Sequence, residues 1–113
     1  MMSDTLKLAP KNIEVDQQGF LKKLSDWNKK VAEILALNEG IQLHSGHWEI
    51  ITLTRQYYNE FECSPANRAL IKYVQRELGS EKGRSIYLMS LFSESPAKLA
   101  SKIGGLPKPD NCF

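Results

Sequence analysis

Cysteine is scarce in this 113-residue chain, which has only Cys63 and Cys112. Two thiols make no disulfide scaffold, and in a reducing compartment each stays free unless chemistry uses it. Long hydrophobic runs are also missing. No apolar stretch approaches the roughly 18 residues that a membrane span needs. Met1-Met2-Ser3-Asp4 lacks the charged-then-apolar pattern of a secretory signal, so a cytoplasmic protein is expected. Histidine is limited to His44 and His47. With Cys63 they fall one ligand short of a structural zinc site, and neither a metal nor a cofactor is expected. There is no glycine-rich phosphate loop and no defensible Ser/His/Asp set. Nor does charge of one sign dominate. Residues 1–64 carry seven basic and nine acidic side chains, and residues 65–113 carry eight and four. The modestly basic second half suits an acidic partner or a solvated surface, and falls well short of a nucleic-acid footprint.

What is present reads as one domain, long enough to bury a core. The first ten residues look like a lead-in, with a short strand at Leu6–Leu8. Ile13-Glu14-Val15 alternates at the strand period, Asp16-Gln17-Gln18-Gly19 is turn-like, and Phe20-Leu21 is apolar again, which predicts a β-hairpin. Ser25 is placed to cap a helix to about Leu37, with Trp27, Val31, Ile34 and Leu35 on its inner face. Ser45 caps a second helix to Phe61, where Trp48, Ile51, Arg55 and Tyr58 share a stripe. Arg55 there either holds the end of the chain or snorkels to water. Ser64-Pro65 signals a third helix to Leu78. Ser85–Phe92 is a fourth, and Ser95-Pro96 opens a fifth to about Ile103. The expected fold is α+β and predominantly helical. A small N-terminal β-hairpin or meander packs on about five helices, in one globular domain over residues 1–103.

From residue 104 the composition changes. Gly104-Gly105-Leu106-Pro107-Lys108-Pro109-Asp110-Asn111-Cys112-Phe113 reads as a glycine pivot followed by a proline-stiffened arm with a thiol near its tip. The seven steps from Gly105 to Cys112 span about 23 Å when extended, at about 3.3 Å each. A thiol on such a tether suits a carrier that enters a partner's active site; the plain alternative is a tail with an incidental cysteine. Cys63, just before Ser64-Pro65, is either a small apolar residue at a helix junction or a resolving thiol for Cys112.

The run from Ser95-Pro96-Ala97-Lys98-Leu99-Ala100-Ser101-Lys102-Ile103 through Gly104-Gly105-Leu106-Pro107-Lys108-Pro109, followed by Cys112-Phe113, resembles the C-terminus of the DsrC/TusE family. The likeness continues through Gly19-Phe20-Leu21, Trp27, His47-Trp48-Glu49, Arg55, Tyr57-Tyr58, Pro65 and Arg68. The resemblance implies a small cytoplasmic sulfur-relay protein whose penultimate cysteine, Cys112, carries a persulfide. Members of dissimilatory sulfur metabolism have a second arm cysteine eleven residues earlier; Ser101 stands there. That departure places the chain with the TusE-like branch. The branch implies a TusBCD-like donor complex and an MnmA-like tRNA thiolase that makes 2-thiouridine at the wobble position. The arm and recognition set expected from this chain's own residues is Gly104, Gly105, Pro107, Lys108 and Pro109 in the arm, with Arg55 and Arg68 on the helical body. Two other functions stay open. One is a regulatory, non-relay member of the family. The other is a helix-turn-helix module that presents Asn67, Arg68, Lys72, Gln75 and Arg76 to nucleic acid.

Overall fold

The computed structural model describes residues 13–109. A 3-10 turn at Leu24–Asp26 is followed by five helices: α1 Lys29–Asn38, α2 Ser45–Phe61, α3 Asn67–Leu78, α4 Ser85–Phe92 and α5 Pro96–Ile103. The short α5 is the hub and packs against each of the other four. Its sequence explains why. Ala97, Ala100 and Ser101 are small and buried, so neighbouring backbones come close, while Ile103 fills the core at its end. Phe20, Val31, Leu35, Ile50, Ile51, Leu70, Val74, Leu88 and Phe92 complete the interior, all at most 1% exposed. Each such side chain contributes about 1.5–3 kcal/mol through burial.

The expected α+β class is corrected to all-helical among the described residues, which contain no strand and no sheet. The segment predicted as a hairpin has a single antiparallel bridge, Val15 to Leu21. Asp16 explains the outcome. Its carboxylate accepts from the backbone N–H groups of Gln18 (2.8 Å) and Phe20 (3.0 Å), closing a tight turn at Gly19, where φ is +90°. Past Leu21 the chain turns into the 3-10 element, and no second strand forms. Ile13, Val15, Phe20 and Leu21 are all buried, so the apolar spacing serves packing onto helices, not a ladder. The strand predicted at Leu6–Leu8 lies outside the described residues.

Three predicted helix starts also shift. Asn28, not Ser25, caps α1 by accepting from Val31 N–H at 2.9 Å, which leaves Trp27 outside the helix. The third helix begins at Asn67, and neither Ser64 nor Pro65 caps it. Helix α2 starts one residue earlier than predicted, behind His44, with His47 Nδ1 accepting from the His44 N–H at 3.1 Å. Buried His47 also binds the Leu91 carbonyl through Nε2 at 2.9 Å, tying α2 to α4.

Candidate functional site

The end of α5 is where the core meets the chemistry. Gly105 adopts φ +75°. Its N–H binds the Lys102 carbonyl at 3.1 Å, and the Leu106 N–H binds the Ser101 carbonyl at 2.8 Å. This paired closure is the Schellman stop that a left-handed glycine permits. Leu106 then folds into the core and is 3% exposed.

Three side chains hold this corner. Trp27 Nε1 donates to the Ile103 carbonyl at 2.8 Å. Arg55, from α2, donates to the Gly104 carbonyl. Its guanidinium lies 3.9 Å from the centre of the Trp27 ring, a stacked cation–π arrangement that a planar guanidinium suits. Burial works against the Arg55 charge and lowers its pKa from the ordinary value. Further on, the Ser64 hydroxyl donates to the Pro107 carbonyl at 2.6 Å. The serine predicted as a helix cap therefore fastens the tail to the α2–α3 junction.

Pro107 and Lys108 line a cleft of about 630 Å³ with Tyr57, Tyr58, Glu62, Cys63, Arg68 and Lys72 among its other walls. The cleft sits where α2 ends and α3 begins. Glu62 takes φ +59° at that turn, and Cys63 follows it, exposed. Arg68 and Lys72 stand four apart on α3, so both reach the same side of the helix. With Lys108 they give the cleft three cations against one carboxylate. Tyr57 stacks tilted on Phe61 (4.5 Å between centroids) and edge-on to Tyr73 (5.3 Å). Burial, helped by the nearby Cys63 and Glu60, pushes the Tyr57 hydroxyl up from its usual pKa, so it stays a neutral hydrogen-bonding group.

The recognition residues read from sequence thus fall in two places. Arg55, Gly104 and Gly105 form the corner, and Arg68, Pro107 and Lys108 border the cleft. Pro109 is buried beyond it. Cys112 lies outside the described residues. Sequence reasoning missed Trp27 and Ser64 as anchors of the tail. Neither role has a local signal, since their partners lie 76 and 43 residues away.

Other candidate groups are occupied structurally. His44 and His47 cap α2. Among the described residues no group of three or more His, Cys, Asp or Glu is placed to hold a metal ion. Asn67 accepts from Ala97 N–H at 2.9 Å and so caps α5, and Arg76 pairs with Glu77 and stacks on Tyr73. Two of the five residues offered for base reading are therefore committed within the fold. No helix of the described residues is long and apolar enough to cross a membrane.

The family described as "DsrC like protein" matches residues 7–113. The sulfurtransferase TusE of Buchnera aphidicola is 50% identical over 102 residues, 90% of each chain. That of Escherichia coli is 49% identical over 103 residues, covering 91% of this chain and 94% of the relative. The NMR structure of Allochromatium vinosum DsrC superposes with a TM-score of 0.88 at 45% identity, covering 99% of this chain and all of that one.

Proposed function

The chain belongs to the DsrC-like family, and on that premise we propose that it is a cytoplasmic sulfurtransferase of the relay type, with Cys112 as the sulfur-carrying residue. One observation carries the reading. Relatives named sulfurtransferase TusE share about half of the residues over nine-tenths of the chain, and the last ten residues of this chain hold a single thiol, Cys112. The donor is a TusBCD-like complex, and the acceptor is an MnmA-like thiolase acting on the wobble uridine of tRNA.

The chemistry needs a thiolate, because only that form is nucleophilic. Cys112 as thiolate attacks the terminal sulfur of a donor persulfide. A sulfur–sulfur bond forms on Cys112 as the donor's own sulfur–sulfur bond breaks, and the donor cysteine departs as a thiolate. Delivery repeats the exchange in the other direction. The fold supports this by fixing the root of the tail. With Trp27, Arg55 and Ser64 holding residues 103–107 and Pro109 buried beyond them, the reach of the thiol is counted from Pro109. Three residues extend about 10 Å, at about 3.3 Å each. A short tether loses little entropy when it enters a partner's narrow site. Ser101 fits the relay reading: it is fully buried, with an unpaired hydroxyl, inside α5.

Intact mass after mixing with a persulfide donor tests the proposal. The wild type gains one sulfur and Cys112→Ser gains none. Equal uptake by both proteins would refute the assignment of Cys112.

A further inference from the structure

We propose that the cleft at the α2–α3 junction binds a single-stranded segment of RNA and so contacts the tRNA that receives the sulfur; the inference rests on the carrier reading above. Arg68, Lys72 and Lys108 line the cleft, and all three are exposed. Among the described residues none of them forms an ion pair or a hydrogen bond, whereas Arg76, Lys82 and Lys102 each have a carboxylate partner. The formal net charge of the whole chain is only +2, yet this one cleft sets three cations against Glu62. Arg68 and Lys72 stand one helical turn apart, about 6 Å along the axis at about 1.5 Å per residue. That is close to the spacing of successive phosphates on a nucleic-acid strand. Lys108 follows Pro107, whose carbonyl Ser64 holds at 2.6 Å, so the third charge is kept at the same cleft.

Charge alone suits any anion; the aromatic wall selects RNA over an acidic peptide. Tyr58 lines the cleft half-buried, and within the described residues its ring stacks on no other and its hydroxyl has no partner. Such a ring is a platform for an unpaired base, the sequence-tolerant contact by which proteins hold single strands. Tyr57 beside it is braced by Phe61 and Tyr73. Its hydroxyl, kept protonated by burial, is a donor for a phosphate or a ribose 2′-hydroxyl. An acidic peptide would satisfy the cations and leave both tyrosines idle. The volume of about 630 Å³ lies within the usual range of ligand sites and has room for about one or two nucleotides, not for a duplex. Reading a duplex would call on the outer face of α3, where Asn67 and Arg76 are already engaged. Three phosphate contacts give weak binding, on the order of 10⁻⁴ M, and a salt slope of about −2, at about −0.7 per phosphate on a single strand. A weak hold suits a carrier that must leave after delivery, with the thiolase supplying the rest of the grip on the tRNA.

Fluorescence anisotropy of a short labelled oligouridylate, titrated with the full chain across ionic strength, tests this. A labelled oligoglutamate of equal length and a short DNA duplex serve as the competing ligands. The RNA is expected to bind most tightly of the three. Lys72→Gln and Arg68→Gln are each expected to flatten the salt slope by about 0.7. Tyr58→Ala is expected to weaken RNA binding at least fivefold, while Tyr58→Phe, which keeps the ring, binds as wild type does; urea midpoints identify any variant that has lost its fold. Should Tyr58→Ala fail to fold, the slopes of Lys72→Gln and Arg68→Gln decide. Absence of saturable RNA binding up to about 1 mM, tenfold above the expected order, would overturn the proposal. So would oligoglutamate or duplex DNA binding as tightly as RNA, or affinity and slope unchanged in Lys72→Gln and Arg68→Gln. Sulfur uptake from a persulfide donor, followed by intact mass on the same samples, separates this inference from the reading beneath it. Normal uptake at Cys112 without RNA binding would sink the RNA site alone. RNA binding by a protein that takes up no sulfur would sink the carrier reading, and with it the assignment of the RNA as the tRNA that receives sulfur.

Discussion

Arg55 stacks its guanidinium 3.9 Å from the centre of the Trp27 ring while the two side chains bind adjacent carbonyls, Trp27 that of Ile103 and Arg55 that of Gly104. One residue comes from a loop before α1 and the other from the middle of α2, so the tail is rooted on two elements at once. Arg55→Ala removes a charged hydrogen bond worth about 1.5–3 kcal/mol and a cation–π contact worth about 0.5–2 kcal/mol. The expected loss, after relaxation, is about 2 kcal/mol in urea unfolding. Arg55→Lys recovers less than half of it, because an ammonium cannot both stack flat and donate from the same plane.

Gly105 makes a sharper prediction. An added Cβ would lie 2.4 Å from Trp27 Cδ1, at a φ of +75°. Gly40 shares that φ with nothing within 4 Å of its Cβ position. Left-handed strain costs of order 1 kcal/mol, so Gly40→Ala measures the strain alone. Gly105→Ala should cost at least about 2 kcal/mol more in the same denaturation series, by analogy with overpacked cores, and should shift Trp27 fluorescence. Equal costs for the two variants would show that the corner has room to adjust.

Stability should fall as the solution turns acid, through His47. Burial lowers its pKa below the ordinary 6.5, with the Leu91 carbonyl opposing that shift and His44 adding to it. The unfolded chain therefore binds the proton more readily, and stability rises with pH where the two states differ. The contribution is fully present above about pH 6.5, and is lost as pH falls through the lowered value in the folded protein. Protonation also removes the Nδ1 lone pair that accepts from His44 N–H. Urea midpoints measured from pH 7.5 down to about 4.5 should decline in wild type, with a smaller slope in His47→Gln.

The helices were largely legible in the sequence, and their starts less so. Leu70 and Val74, or Ala97 and Ala100, repeat at helical spacing, and that period survives any tertiary arrangement. The cap at Asn28 competed with an equally plausible Ser25, and local chemistry alone does not choose between them. The hairpin was misread for a related reason. Ile13 and Val15 alternate with exposed Glu14 because both join the buried core, and a period of two over so short a run does not distinguish a ladder from a buried loop. Gly104-Gly105 read as freedom, whereas Gly105 is held by Trp27, whose position no local pattern specifies. Ser64 shows the same limit. Its neighbour Pro65 signals a helix start, but its hydroxyl is taken by Pro107.

Lys108 and Arg68 border the cleft and are exposed, so their charge acts mainly on encounter. Lys108→Glu or Arg68→Glu should slow sulfur exchange with an acidic partner several-fold at low salt and much less at high salt, because exposed charges are screened within about 10 Å at 0.1 M. Stopped-flow rates across ionic strength give the answer. A salt-independent defect would point to lost contacts in place of lost steering.

The central claim, that sulfur travels on Cys112, is tested most directly by a single-turnover chase. Wild type, Cys63→Ser and Cys112→Ser are each exposed to a donor carrying radiolabelled sulfur, freed of it, and mixed with the tRNA thiolase, its tRNA and ATP. Label should reach 2-thiouridine from wild type and from Cys63→Ser, and none should reach it from Cys112→Ser. Label arriving in tRNA from Cys112→Ser, or staying on wild type throughout, would contradict the account.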